Sequence, residues 1–164
     1  MKYSNIKYYD IANGEGVRTS LFVSGCTHHC KGCFNPETWD FNHGTEFTVD
    51  TIYDIVKSCE PYYIEGLTLL GGEPMEPENQ RALLPLVRTF KERYPEKNIW
   101  CYTGYTYETD LLDENGKAHT EVTEDFLSYI DVLVDGEFIE AKKDITLKFR
   151  GSSNQRIIDV SGGR

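Results

Sequence analysis

Two hydrophobic rhythms take turns along this chain. Residues 18–24 (Arg-Thr-Ser-Leu-Phe-Val-Ser) read as a strand that runs straight into a cysteine-rich loop. Thr48-Val49-Asp50 then opens a stretch in which Ile52, Ile55, Val56 and Cys59 recur at helical spacing. Residues 67–70 (Leu-Thr-Leu-Leu) predict a short strand ending at Gly71-Gly72. A second helix is predicted over 76–94, with Leu83, Leu84, Leu86, Val87, Phe90 and Tyr94 as its apolar side. Pro85 interrupts it, and a proline there removes a backbone hydrogen bond, so a kink or a late start is expected. A strand over 98–102 ends at Thr103-Gly104, and short helices fall near 107–112 and 123–129. Residues 131–135 predict a fourth strand, and 146–160 read as a strand, a Gly-Ser-Ser-Asn turn and another strand.

Strands alternating with helices imply βα units, an α/β fold and a mostly parallel sheet. In such sheets the chemistry lies beyond the carboxyl ends of the strands, and every polar motif below falls at such an end. The 164 residues suit one domain, 1–164. A complete eight-fold (βα) barrel takes roughly 250 residues, so this chain builds only part of one. Such a barrel stays open, which suits a macromolecular substrate that covers the mouth.

The balance of 17 Lys and Arg against 27 Asp and Glu gives a net charge of −10, which argues against nucleic acid or an anionic membrane as partner. No apolar run has the length of a membrane span or the form of a signal peptide. The cysteine count is 5, with three bunched and Cys59 and Cys101 alone. That is no disulfide framework, and it suits a reducing cytoplasm.

The bunched cysteines carry the sharpest signal. Cys26, Cys30 and Cys33 are spaced C-x3-C-x2-C, and thiolates this close in sequence converge on one metal centre. A structural zinc and an ordinary iron–sulfur cluster each want four protein ligands. Three thiolates leave one iron of a 4Fe–4S cluster open for an external ligand. The alternative is zinc, with His28, His29 or His43 as fourth ligand, in a small interaction module.

Downstream, Gly71-Gly72-Glu73-Pro74 follows a strand, where two glycines allow positive φ and close approach of the backbone to a ligand. Asn13-Gly14-Glu15-Gly16-Val17-Arg18 makes a glycine-rich turn before the first predicted strand, with Arg18 a candidate for the site or a partner surface. Arg150, in Phe149-Arg150-Gly151-Ser152-Ser153-Asn154-Gln155-Arg156, is a candidate for holding a carboxylate through its guanidinium fork.

Taken together these motifs, spread over residues 13–156, resemble the glycyl-radical-enzyme activases of the radical S-adenosylmethionine (SAM) superfamily. The resemblance implies a single radical SAM domain with a partial, open (βα) barrel. It implies that Cys26, Cys30 and Cys33 hold a 4Fe–4S cluster whose open iron chelates SAM. An electron from the cluster then cleaves SAM to a 5′-deoxyadenosyl radical, which takes hydrogen from a glycine of a partner. The partner implied is the large subunit of an anaerobic ribonucleoside-triphosphate reductase, with a one-electron donor such as flavodoxin. Gly71, Gly72 and Glu73 would receive the SAM amino group, and Thr103 and Asp135 would line its ribose and methionine. The residue before the last cysteine is usually aromatic in the superfamily and is Gly32 here. Either Phe34 takes its place against adenine or only backbone does. Asn13 stands where the activases have Asp. A radical SAM enzyme acting on a small metabolite is a further alternative, although its barrel would normally be longer.

Overall fold

The computed structural model describes residues 1–162. Seven strands form one sheet: β1 (Lys2–Asp10), β2 (Val17–Val23), β3 (Thr45–Glu46), β4 (Ile64–Gly71), β5 (Asn98–Tyr102), β6 (Val132–Asp135) and β7 (Arg156–Asp159). Their order is β3-β1-β2-β4-β5-β6-β7. The central strands β2, β4, β5 and β6 are mutually parallel, and the outer pairings β1–β2, β1–β3 and β6–β7 are antiparallel. The sheet is therefore mixed, with its parallel part in the middle.

Helices α1 (Val49–Ser58), α2 (Pro77–Arg93) and α3 (Thr123–Ser128) connect the parallel strands. Thr48 caps α1 in a reciprocal box with Thr51, and Pro77 opens α2 where its missing N–H costs nothing. The late start expected for α2 does not occur. Pro85 stands on its exposed side, as does Arg81, whose carbonyl loses its helical donor. Residues 107–112 form a π-helical turn rather than an ordinary helix. Among the described residues no helix is long and apolar enough to cross a membrane.

Alternation along each strand sorts the sheet's two faces. Leu21, Val23, Leu67, Leu69, Ile99, Cys101 and Leu133 turn to the helices and join Ile55, Leu83, Val87, Phe90 and Phe126 in one core. Phe22, Leu70 and Tyr102 turn the other way and line a cavity.

Three further features depart from the sequence expectation. Strands β1 and β3 carry no clear apolar signal and are absent from the sequence expectation; β1 is half-buried to exposed except at Asp10, with a burial pattern that does not alternate regularly. Residues 146–149 form turns and bends rather than a strand, and the loop that holds them closes through an isolated bridge between Lys143 and Ser152. Arg18 lies neither at a partner surface nor in the cavity lining, but is fully buried under the sheet. Its guanidinium donates to Thr68 Oγ1 at 2.7 Å, Glu15 O at 2.9 Å, Leu67 O at 3.0 Å and Asn98 O at 3.2 Å, and lies 5.6 Å from the Trp100 ring centre. Burial lowers its pKa to about 10, which leaves it charged at neutral pH.

Thr68 in turn donates to Asn13 O at 2.7 Å. A Cβ on Gly14, whose φ is +118°, would meet Arg18 Cδ at 2.9 Å. The glycine-rich turn is thus wrapped on Arg18, and it carries Ala12 and Asn13 into the cavity wall. Replacing Arg18 with leucine strands several buried carbonyls, each costing about 1–3 kcal/mol when unpaired. Urea unfolding of the metal-free Arg18→Leu protein should show a loss of about 3 kcal/mol; a change under about 1 kcal/mol contradicts this role.

Candidate active site

The site is built where the parallel strands end. Past β2 the chain makes Ser24-Gly25 and the cysteine loop; past β4, Gly72-Glu73; past β5, Thr103-Gly104; past β6, Gly136-Glu137. These loops enclose one side of a cavity of about 500 Å³. Cys26, Cys30 and Cys33 all line it, together with Phe34, Gly71, Gly72, Glu73, Thr103 and Arg150. All three thiols are free, with Cys26 buried and the other two half-buried. Burial pushes the Cys26 thiol up to about 12, and burial with the nearby Glu137 also raises Cys30. Metal binding must therefore displace protons from them.

Among the described residues no three His, Cys, Asp or Glu side chains are grouped to hold a metal ion. The three thiols all line the same cavity. Of the two histidines between the cysteines, His28 has both ring nitrogens on carboxylates, whereas His29 stacks its ring face on Trp39 at 4.4 Å, a contact that does not engage its nitrogens.

The two glycines act differently from the sequence expectation. A Cβ on Gly71 (φ +125°) would lie 2.5 Å from Val23 N and O, and one on Gly72 would lie 2.7 Å from Gly25 O and 2.9 Å from Thr38 O. The close approach they permit is to the end of β2 and the cysteine loop. Backbone bonds seal it: Gly72 N donates to Val23 O at 2.9 Å, and Glu73 N to Gly25 O at 2.8 Å.

Two carboxylates complete the seal. Glu76 Oε1 accepts from Thr27 N at 2.9 Å, Thr27 Oγ1 at 2.7 Å and Tyr105 OH at 3.2 Å. Glu73 is almost fully buried; its Oε1 accepts from Gly104 N at 2.6 Å and pairs with His28 Nε2 at 2.7 Å, while Oε2 accepts from Met75 N at 2.9 Å. His28 Nδ1 meets Glu137 Oε1 at 2.9 Å. Burial alone would lower the pKa of His28, but Glu73 first and then Glu137 raise it to about 9.

The remaining candidates divide. Thr103 is buried and its Oγ1 accepts from Tyr105 N at 3.1 Å. Phe34 is 63% exposed on the cavity rim, 5.1 Å from Phe138, with Lys143 over its ring. Arg150 donates through Nη1 to Gln155 O, and its buried Nε has no partner. Gly32 and Asp135 do not line the cavity. Gly32, at φ +78°, faces Glu140. Asp135 is taken up by Arg156 at 2.9 and 2.6 Å and by Tyr107 N at 2.9 Å, and the next residue, Gly136, reaches the cavity instead. Arg156 is committed to Asp135 and Glu108 rather than to the cavity.

Sequence reasoning missed Thr27, Glu76, Tyr105, Glu137 and Phe138. Only Glu76 left a signal, a second carboxylate three residues after Glu73 at a helix start.

Residues 12–158 match the family model described as a 4Fe-4S single cluster domain. Similar relatives are proteins named anaerobic ribonucleoside-triphosphate reductase-activating protein. The one from Haemophilus influenzae is 45% identical over 93% of this chain and 95% of its own. The one from Vibrio cholerae is 43% identical over 96% and 97%, and that of Enterobacteria phage T4 is 39% identical over 99% and 97%. The chain belongs to this family of activating proteins.

Replacing Glu76 with alanine leaves the donors on Thr27 and Tyr105 without their acceptor. The metal-free Glu76→Ala protein should lose about 2–3 kcal/mol in urea unfolding. Glu76→Gln keeps an oxygen at Oε1 and should stay within about 1 kcal/mol of the natural protein. Equal losses in both variants would contradict the acceptor role.

Proposed function

We propose that this chain is a radical SAM activase for an anaerobic ribonucleoside-triphosphate reductase. The observation that carries the reading is the placement of three free thiols, the Glu73 turn and Arg150 around one cavity. Bound there, a 4Fe–4S cluster supplies the electron that splits SAM into methionine and a 5′-deoxyadenosyl radical, which takes a hydrogen atom from a glycine of the reductase's large subunit. The products are 5′-deoxyadenosine and a glycyl radical, and an outside one-electron donor such as flavodoxin restores the electron.

The chain's own residues have separate tasks. Cys26, Cys30 and Cys33 hold the cluster, His28 between them is taken by Glu73 and Glu137, and the fourth position is left for SAM. The Glu73 turn receives the SAM ammonium. Arg150, which lines the cavity, would hold the SAM carboxylate. Phe34 and Phe138 offer aromatic faces to adenine in place of Gly32. The cavity volume is that of an ordinary small-molecule site. The central parallel strands with antiparallel edges fit a partial, open barrel, so the partner's glycine segment covers the mouth and excludes water.

Cys→Ala at position 26, 30 or 33 should abolish cluster loading after anaerobic reconstitution. Cys59→Ala and Cys101→Ala should leave iron and sulfide content intact, because both thiols are buried in the core on the helix side. A fully loaded Cys30→Ala protein contradicts the ligand assignment.

The activity test mixes reduced protein, SAM and the reductase and records an electron paramagnetic resonance spectrum. A doublet that collapses when the reductase carries α-deuterated glycine supports the reading. SAM cleavage without a protein radical overturns it in favour of a small-molecule substrate.

A further inference from the structure

His28 sits between two of the cysteines and lines their cavity, yet both its ring nitrogens are taken by carboxylates. The side chain is 6% exposed. One ring nitrogen lies 2.7 Å from Glu73 and the other 2.9 Å from Glu137. The ring stands edge-on to Tyr105 at 4.4 Å, and a Cβ on Gly104 would meet it at 2.8 Å. The cysteine loop that follows β2 thus reaches, through one imidazole, the loops that follow β4, β5 and β6.

We propose that His28 is a positioning residue that fixes the Glu73 carboxylate relative to the cysteine loop. The proposal rests on the function argued above, because it assigns Glu73 the SAM ammonium. Of the three contacts on Glu73's two carboxylate oxygens, His28 supplies the one side-chain partner, while Gly104 N and Met75 N supply backbone bonds. Glu137 holds the ring from the other side and fixes its orientation. Without the imidazole a buried carboxylate faces a void and swings toward solvent, and both amides lose their acceptor.

This differs from two simpler roles. A ligand would take iron with it when removed. A charge partner would screen Glu73, so its removal would tighten binding of a cation. A positioning residue, when removed, weakens that binding while the three thiolates still load iron.

The test begins with the metal-free protein and hydrogen exchange followed by nuclear magnetic resonance. In His28→Leu the Gly104 and Met75 amides should exchange about tenfold faster or more. The Thr103 amide, which donates to Val134 O, should not change. His28→Gln can still reach Glu73 and should restore part of the protection. Glu137→Ala leaves the ring in place but frees it, and should give an intermediate rate, which keeps the test alive if His28→Leu does not fold.

Reconstituted proteins are then titrated with SAM while the reduced-cluster resonance is recorded. His28→Leu should keep normal iron and raise the SAM Kd about tenfold or more, with His28→Gln between. Unchanged exchange at Gly104 and Met75, loss of iron, or tighter SAM binding would each overturn the positioning role. If the natural protein itself shows no SAM-dependent change, the proposed function fails, and the metal-free exchange rates still decide the role of His28.

Discussion

The cysteine loop has no regular secondary structure to hold it, and everything at the site depends on its being tied to the turn after β4. The tie is made at three levels. Gly71 and Gly72 let the backbones touch, two main-chain bonds from Gly72 and Glu73 seal the contact, and Glu73 and Glu76 take up donors from the cysteine loop and from β5's end. Buried carboxylates persist only when their oxygens are satisfied. Here the donors come from Thr27, His28, Gly104, Met75 and Tyr105, so the burden of burying two acids is what orders the loop.

The sheet makes this arrangement possible. All three helices pack on one face, where the apolar core lies. The other face is left to Phe22, Leu70 and Tyr102 on the strands and to the loops around the cavity. Arg18 forms the floor beneath, gathering carbonyls from β4 and β5 and holding the glycine-rich turn against the cavity wall. The antiparallel strands β1 and β7 flank the parallel centre, and β7 anchors through Arg156 to Asp135 at the end of β6.

Much of this was legible in the sequence. Strands β2, β4, β5 and β6 and the long helices announce themselves because burial on one or both faces forces an apolar pattern. The C-x3-C-x2-C spacing and the Gly-Gly-Glu turn are local, so they too can be read along the chain. What stayed hidden was tertiary. Strand β1 buries only Asp10 fully and leaves little hydrophobic trace. Arg18 looks like a surface or site arginine until the sheet closes over it. Asp135 ends a strand as a site residue would, yet Arg156, 21 positions on, claims it. The partnership of Thr27 with Glu76 spans 49 positions and has no periodicity to betray it.

The central claim is that this tie presents three thiolates and leaves a fourth coordination position to an outside ligand. Mössbauer spectroscopy of protein reconstituted with ⁵⁷Fe, recorded with and without SAM, tests it most directly. The account predicts four irons per chain, of which one changes its isomer shift when SAM is added while three do not. Four irons that stay equivalent in both spectra, or a single mononuclear iron, would contradict it.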